Sequence, residues 1–327
     1  MSSLLGYHGF NNWRKMVMED EEEIKEKIIC FGFELEVTTD NDKPWSAYIE
    51  NNHTPEDLAN RLHDEFGDLF VYERDGSIGM GVEIISQPMS LKYYLSHIDI
   101  FKKLLIICDE YGYVSTKGAQ CGLHIHFSRS AFGFDNNSYE NYVQKIGETK
   151  TKKAERARIN KTIENICLIM ETYKDEFIKL SGRNKNQMRW CNFETSKNND
   201  ILKIKAVVKN KRKIGGSHSD RYRVVNTTNE NTVEIRLCRG TLMWESFHTR
   251  ILMMYHLVDI SRNYTGLISF KKIVEWKESC ENIELMKKYI EHNPIEKRRI
   301  IIDEIKRKVS LSLDIEFRID SEGFVGN

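Results

Sequence analysis

Apolar and polar residues alternate in four short stretches of the chain, and this pattern predicts β-strands that are buried on one side. The first stretch, Phe33-Glu34-Leu35-Glu36-Val37, lies in a strand expected near residues 28–38. The other three cover residues 82–85, 122–127 and 233–237. A further apolar run at 69–72 is expected to form a hairpin with 82–85 across a turn at 75–77. Because side chains alternate between the two faces of a strand, the polar residues of each strand should share one face.

Apolar residues recur every three or four positions in four other segments, and this spacing predicts amphipathic helices. Thr54 and Pro55 mark the start of a helix that ends near residue 66, and Ser90 caps a helix over residues 91–111. The remaining two helices are expected at 152–180 and 245–264. Together with the strands, they predict a mixed α+β fold.

Three other segments have a weaker pattern. Residues 1–26 look peripheral and include an acidic run at 19–23. The basic, glycine-containing segment 203–217 is expected to be a mobile loop, and two or three charged helices should follow residue 270.

The four alternating strands carry only Glu, His and Arg between their apolar residues. If the strands share one sheet, its polar face collects four carboxylates, two imidazoles and one guanidinium, which are those of Glu34, Glu36, Glu83, Glu234, His124, His126 and Arg236. A solvated sheet face would instead mix Lys, Thr, Ser and Gln. Each pair taken alone, such as E-x-E or H-x-H, is more often a solvated or structural pair. The common phase of all these residues favours a functional site.

The chemistry of these side chains points to metal ions and phosphate. Carboxylate oxygens suit Mg²⁺ and Mn²⁺, and Mn²⁺ also accepts imidazole nitrogen. Carboxylates two positions apart on a strand lie roughly 6.5–7 Å apart, and they repel each other unless positive charge lies over them. Phosphate oxygens would complete the coordination, with arginine as a bidentate phosphate ligand. The polar face therefore indicates metal-assisted phosphoryl chemistry.

Composition restricts the function classes. The 327 residues contain 49 Lys plus Arg and 49 Asp plus Glu, so no general basic field for nucleic acid or an anionic membrane is indicated. The seven cysteines form no C-x-x-C pair, which is typical of reduced thiols in a cytoplasmic protein. No apolar run approaches the length of a membrane span, and the sequence has no P-loop motif.

Five sequence blocks resemble, in order, those of the amidoligase family, which belongs to the glutamine synthetase-like carboxylate–amine ligases. They are F-G-F-E-L-E, E-R-D-G-S-I-G-M-G-V-E-I-I-S-Q-P, G-L-H-I-H-F, R-Y-R-V-V-N and T-V-E-I-R-L-C-R-G-T-L, within residues 28–260. The resemblance implies a curved, largely antiparallel sheet with the site on its concave face and helices on its convex face. It divides the chain into an N-terminal extension (1–27), a catalytic domain (28–264) and a helical C-terminal region (265–327).

The resemblance also implies roles for individual residues. Those that resemble the ligands of two divalent metals, Mg²⁺ or Mn²⁺, are Glu34, Glu36, Asp75, Glu83, His124 and Glu234. Glu73 is the alternative to Asp75, because both would lie on one face if the strand continued that far. His126 and Arg236 resemble residues that bind the phosphates of ATP. Arg236, Arg221 and Arg223 resemble catalytic residues that contact the transferring phosphate or the substrate carboxylate, and Arg183 is a weaker candidate of that kind.

Such a site implies an ATP-dependent ligase that joins a carboxylate to an amine in an amide bond, whether peptide or isopeptide. The carboxylate would become an acyl phosphate with release of ADP, and the amine would then displace phosphate. The substrates would be small molecules or peptides, and the resemblance leaves a homo-oligomer open. The alternative is a metal-dependent hydrolase or phosphotransferase that uses the same Glu and His face. A binding module without the chemistry is the third interpretation.

Overall fold

The computed structural model describes residues 3–6, 28–40, 42–115, 121–183, 188, 191–193, 222–263 and 268–276. Its strands are β1 (Leu4–Leu5), β2 (Cys30–Thr39), β3 (Phe70–Glu73), β4 (Gly81–Ser86), β5 (Met89–Ser90), β6 (Tyr113–Val114), β7 (Gly122–Ser128), β8 (Val225–Asn226) and β9 (Thr232–Arg239). Its helices are α1 (Trp45–Glu50), α2 (Pro55–Phe66), α3 (Leu91–Ser96), α4 (Ile98–Glu110), α5 (Asn136–Ile146), α6 (Glu148–Thr172), α7 (Lys174–Ser181), α8 (Trp244–Asn263) and α9 (Phe270–Val274). The expected loop at 203–217 and Arg221 lie outside the described residues.

These strands form one nine-stranded sheet in the order β1-β3-β4-β2-β7-β9-β8, and β5 and β6 also pair with β2. β1 is parallel to β3, whereas the other pairings between the described strands are antiparallel. The fold is therefore α+β with a large, mostly antiparallel open sheet, and the sequence prediction of that class is confirmed. No helix in the described part of the chain is both long and apolar enough to cross a membrane.

Helices pack on the apolar face of the central strands. Phe33 of β2 makes edge-to-face contacts with Phe101 of α4 and Phe247 of α8, at ring-centroid distances of 6.1 and 5.2 Å. Phe31 contacts Tyr255 of α8 in the same manner, at 5.8 Å. Burying such a side chain contributes roughly 1.5–3 kcal/mol, so this face anchors the central strands and leaves their polar residues on the opposite face.

The helix starts predicted from capping residues are confirmed. Thr54 and Asp57 form a capping box at the start of α2, and Pro55 is the first helical residue. The Ser90 hydroxyl accepts a hydrogen bond from the backbone N–H of Tyr93 at the start of α3.

The single helix predicted over residues 91–111 is wrong, because α3 and α4 are separated at His97. His97 has a non-helical backbone (φ −120°, ψ 31°), and its Nδ1 lies 3.0 Å from the carbonyl oxygen of Tyr93. The helix predicted at 152–180 begins earlier, at Glu148, and is divided at Tyr173, which also leaves the helical region (φ −106°, ψ 35°). Apolar spacing continues across both breaks, so periodicity alone did not reveal them.

Several short or polar elements were not predicted. α5 has no buried residue, and its clearest local signal is Asp135, whose side chain accepts from the backbone N–H of Ser138. α1 is only six residues long, and β1, β5, β6 and β8 have two residues each. Two-residue strands depend on pairing partners that a local pattern does not contain.

Candidate functional site

The pairing registers bring the predicted polar residues onto one face. Residues directly opposite each other are Glu34 and His124, Glu36 and Glu83, Glu73 and Glu83, and His126 and Glu234. Partners of this kind have their Cβ atoms roughly 4.5–5.5 Å apart. The alternation of β2, β4, β7 and β9 thus assembles a continuous row of charged side chains across the middle of the sheet.

Glu34 lies between the two histidines of β7. Its Oε1 is 2.9 Å from Nε2 of His126, and its Oε2 is 3.2 Å from Nδ1 of His124. Burial raises the pKa of Glu34, but the charge of His126, the hydrogen bond with His124 and the close contact with the His126 ring outweigh it and hold that pKa well below its usual range. Glu34 is therefore an ionised carboxylate with two imidazole neighbours.

Glu36 is fixed by the backbone at the start of β7. Its Oε2 accepts a hydrogen bond of 2.6 Å from the backbone N–H of Gly122, and its Oε1 is 3.9 Å from Nε2 of His124. A Cβ atom at position 122 would lie 2.7 Å from that same nitrogen of His124, so glycine allows this close approach. Burial raises the pKa of Glu36 despite the nearby His124.

Glu234 of β9 closes the row on the other side of β7. Its Oε1 lies 3.6 Å from Nδ1 of His124 and also contacts Nη1 of Arg236, whereas its Oε2 accepts from Nδ2 of Asn226 at 2.7 Å. Burial lowers the pKa of Arg236, but the carboxylates of Glu234, Glu34 and Glu36 outweigh burial and raise it. The guanidinium therefore stays charged beside the acidic residues.

A bulge in β9 positions Arg236. Leu123 pairs with Cys238 and Ile125 with Ile235, so Arg236 and Leu237 both lie opposite His124. Bulges redirect side chains and are frequent beside active sites. This one lets Glu234 and Arg236 reach the same residues of β7.

The turn after β3 brings a further acid to the face. Asp75 caps the 3₁₀ turn Gly76–Ile78 by accepting from the backbone N–H of Ser77 at 2.7 Å. It has an oxygen within 4.8 Å of oxygens of Glu36 and Glu83. Glu83 is buried, and its pKa is raised to about 10 by burial and by the charges of Glu34, Glu36, Asp75 and Glu73.

Three groups of donor atoms, each within a 4.8 Å span, could hold metal ions among the described residues. They are Glu34, His126 and Glu234; Glu34, Glu83 and His124; and Glu36, Asp75 and Glu83. The donor set of carboxylate oxygens and imidazole nitrogens fits Mg²⁺ or Mn²⁺. The raised pKa of Glu83 also shows an excess of negative charge, which bound cations would neutralise.

The remaining predicted arginines lie at different places. Arg223 precedes β8 and forms an isolated bridge with Asn192, while the carbonyl of the next residue, Val224, accepts from the backbone N–H of Arg236. Arg183 is buried, and its guanidinium donates to the carbonyls of Leu237 at 2.9 Å and Cys238 at 3.2 Å.

The sequence patterns did not identify two residues that hold side chains of the site in place. Asn226 holds Glu234 by a side-chain hydrogen bond, and Gly122 holds Glu36 by its backbone N–H. Both lie in sequence blocks that carry the family resemblance, R-Y-R-V-V-N and G-L-H-I-H-F. The available signal was the position of Asn226 at the end of its block, but its pairing with Glu234 depends on the hairpin.

The fold and the charged face describe a candidate metal-binding enzyme on a mostly antiparallel sheet. The chain belongs to the family described as "Putative amidoligase enzyme", whose sequence profile matches residues 71–258. That description supports an enzyme that forms amide bonds. The matched residues include Glu83, Glu234, Arg236 and the two histidines of β7, His124 and His126. Strand β2, with Glu34 and Glu36, precedes the match. No curated protein matches the chain.

Proposed function

We propose that this protein is an ATP-dependent carboxylate–amine ligase that forms an amide bond, peptide or isopeptide, through an acyl phosphate. The observation that carries the proposal is the row of carboxylates and imidazoles beside a charged Arg236, in a chain of the amidoligase family. We further propose that the sheet is the curved sheet of glutamine synthetase-like enzymes, with this row on its concave face. The substrates are a small-molecule or peptide carboxylate and an amine.

The residues of the face divide into two roles in this proposal. Those that hold two divalent ions, Mg²⁺ or Mn²⁺, are Glu34, Glu36, Asp75, Glu83, His124 and Glu234. When bound, such ions neutralise negative charge on phosphoryl oxygens. His126 and Arg236 bind the phosphates of ATP, and Asn226 keeps Glu234 oriented toward His124 and Arg236.

The reaction has two chemical steps. A substrate carboxylate attacks the γ-phosphoryl group of ATP, so that an acyl phosphate forms and ADP leaves. The neutral amine then attacks the acyl carbon, the C–O bond to phosphate breaks, and the amide forms while the proton lost by the amine nitrogen leaves with the phosphate. Arg236, together with Arg221 and Arg223 in this proposal, stabilises the negative charge that develops on the transferring group or holds the substrate carboxylate.

The first test is the melting temperature of the protein with Mg²⁺, with ATP and with both. A ligand at a hundred times its dissociation constant stabilises the native state by about 2.7 kcal/mol, which a melting curve resolves. We expect Mg–ATP to stabilise the wild type, and Glu36→Gln and Glu234→Gln to abolish the response. Glu110→Gln, on the exposed end of α4, is the matched control and should respond like the wild type.

The same experiment separates the ligase from its alternative. If no nucleotide stabilises the protein, but Mn²⁺ or Zn²⁺ alone does so through Glu36 and Glu234, the ligase proposal fails and the metal-dependent hydrolase replaces it. If Mg–ATP binds, amines and carboxylates are screened by ADP release, and the amide product is identified by mass. Transfer of phosphate from ATP to an acceptor, without an amide product for any pair, would favour the phosphotransferase.

A further inference from the structure

The backbone of Glu36 lies at a gap between two strands that pair with the same edge of β2. On the edge opposite to β4, pairing with β7 ends at Leu35 and pairing with β6 begins at Thr38. A buried carbonyl in such a gap needs a donor from outside the strand ladder, because an unpaired buried backbone group is costly. Ser115, the residue after β6, supplies that donor, and its hydroxyl donates to the carbonyl of Glu36 at 2.6 Å.

Glu36 is thereby held at two points. Ser115 binds its backbone carbonyl, and the backbone N–H of Gly122 binds its carboxylate, also at 2.6 Å. Both of these residues are buried, and a hydrogen bond at a buried site is electrostatically stronger than one in water. The position of this carboxylate therefore depends on two groups outside β2.

Gly240, the residue after β9, packs against both of these hydrogen bonds. Its N–H donates to the carbonyl of Cys121 at 3.0 Å, which fixes the residue before Gly122. A Cβ atom at position 240 would collide with Oγ of Ser115, and it would lie 3.0 Å from the carbonyl oxygen of Gly122 and 3.3 Å from that of Glu36. A side chain here would therefore displace the Ser115 hydroxyl from Glu36 and press on the backbone that binds its carboxylate.

The effect of such a displacement should be confined to one end of the charged row. Among the described residues, Glu36 belongs to one of the three groups of potential metal donors, together with Asp75 and Glu83. The group that contains Glu234, at the other end of the row, shares no residue with it. A shift of Glu36 would therefore weaken one candidate metal position and leave the other intact.

We propose that Gly240 and Ser115 are positioning residues for Glu36. Neither of them contacts the ion. Ser115 fixes the backbone of Glu36, and Gly240 leaves the space that this hydrogen bond requires, so that the carboxylate meets a divalent ion shared with Asp75 and Glu83. The place of this ion in an acyl transfer rests on the proposed ligase, whereas its dependence on Gly240 and Ser115 does not.

The test is calorimetric titration with Mn²⁺ in the absence of nucleotide. Glu36→Gln and Glu234→Gln first show which binding step belongs to which end of the row. We expect Gly240→Ala to raise the dissociation constant of the Glu36-dependent step by about tenfold or more, as is typical for residues that orient a metal ligand. The Glu234-dependent step should keep its dissociation constant.

Ser115→Ala tests the same contact without adding a colliding atom, so it also decides the question if Gly240→Ala fails to fold. The loss of one hydrogen bond should raise the dissociation constant of the Glu36-dependent step by about threefold or more. Gly6→Ala is the matched control for the glycine, because a Cβ atom there would have nothing within 4 Å. Ser96→Ala is the control for the serine, because Ser96 is exposed at the end of α3. Both controls should bind Mn²⁺ like the wild type.

A double-mutant cycle separates positioning from a general loss of structure. If Gly240 acts through Glu36, Gly240→Ala should change Mn²⁺ binding by less than about twofold in a protein that already carries Glu36→Gln. An equal weakening in both backgrounds overturns the proposal, as does an equal weakening of both binding steps. The proposal is also overturned if the wild type has no Mn²⁺ step that depends on Glu36, or if the folded variants bind like their controls. Failure of the ligase proposal is seen separately, as the absence of stabilisation by Mg–ATP.

Discussion

The ionisation of Glu83 reports on the charge balance of the candidate site. Its carboxyl group is buried opposite both Glu36 and Glu73, and its pKa is raised to about 10. In the unfolded chain the same group would have its ordinary pKa of 4.5. Between these two values the folded protein therefore holds a proton that the unfolded chain has lost.

This difference predicts how stability depends on pH without metal. Because the folded state binds the extra proton, raising the pH from about 5.5 to 8.5 should lower the free energy of unfolding through Glu83. The contribution of one proton is at most about 1.4 kcal/mol per pH unit. Urea unfolding in EDTA should show a smaller decline with pH for Glu83→Gln than for the wild type. A parallel decline in both proteins would contradict the raised pKa.

Bound metal should reverse this preference of the folded protein for protonated Glu83. The proposed ions need Glu83 as a carboxylate, so binding of Mn²⁺ should release protons and become tighter as the pH rises. Glu83→Gln should therefore be the more stable protein in EDTA near pH 8 and the less stable one in saturating Mn²⁺. The exposed Glu110→Gln should follow the wild type under both conditions.

At the level of elements, the β8–β9 hairpin positions Glu234, a proposed metal ligand, through Asn226. Among the described contacts, Asn226 touches no other proposed metal ligand. Asn226 lies directly opposite Glu234, donates to it from Nδ2, and is itself held by Thr228, whose N–H and hydroxyl both donate to Asn226 Oδ1. Residues that orient a metal ligand typically contribute 10–100-fold to metal affinity. Asn226 is therefore a positioning residue in the proposed site.

Asn226→Ala should raise the dissociation constant for Mn²⁺ by about tenfold or more, because Glu234 loses the hydrogen bond that fixes its carboxylate. Titration calorimetry with the folded variant measures this directly. Asn231→Ala provides the control, since Asn231 is an exposed asparagine of the same hairpin. Equal affinities in the two variants would show that Glu234 is held in place without Asn226.

The same hairpin shows which parts of the site the sequence could predict. Alternation reports which residues share a face of a strand, because the two-residue period depends only on the local backbone. It therefore predicted that Glu34, Glu36, His124, His126 and Glu234 would lie in phase. It could not predict the partner of Asn226 or the bulge near Arg236, because both depend on how β7, β8 and β9 pair.

The choice between Glu73 and Asp75 was open for a similar reason. Glu73 continues β3 and lies opposite Glu83, whereas Asp75 reaches Glu36 and Glu83 from the 3₁₀ turn that follows. Both acids therefore lie near Glu83, as its raised pKa indicates. The geometry of that turn, rather than the strand period, brings Asp75 into a group of potential metal donors.

At the scale of the whole molecule, the described residues beyond 264 pack against the helices that cover the sheet. Nδ1 of His256 on α8 lies 3.1 Å from the carbonyl oxygen of Ile273, and Tyr173 donates to the carbonyl of Ile268. Trp276 donates from its indole N–H to Asp259 of α8. These contacts predict that α9 unfolds together with the body that carries the candidate site, although the expected domain division falls before it.

Ile273→Ala tests this coupling, because Ile273 is fully buried between α9 and α8. Removing a buried isoleucine side chain should lower the free energy of unfolding by about 2–5 kcal/mol, whereas Lys271→Ala, on the exposed side of α9, should change it by about 0.5 kcal/mol or less. Urea unfolding with and without saturating Mn²⁺ identifies the transition affected. If α9 belongs to the catalytic body, Ile273→Ala lowers the same transition that Mn²⁺ raises. A separate transition that responds to Ile273→Ala but not to Mn²⁺ would instead make the region after 264 an independent unit.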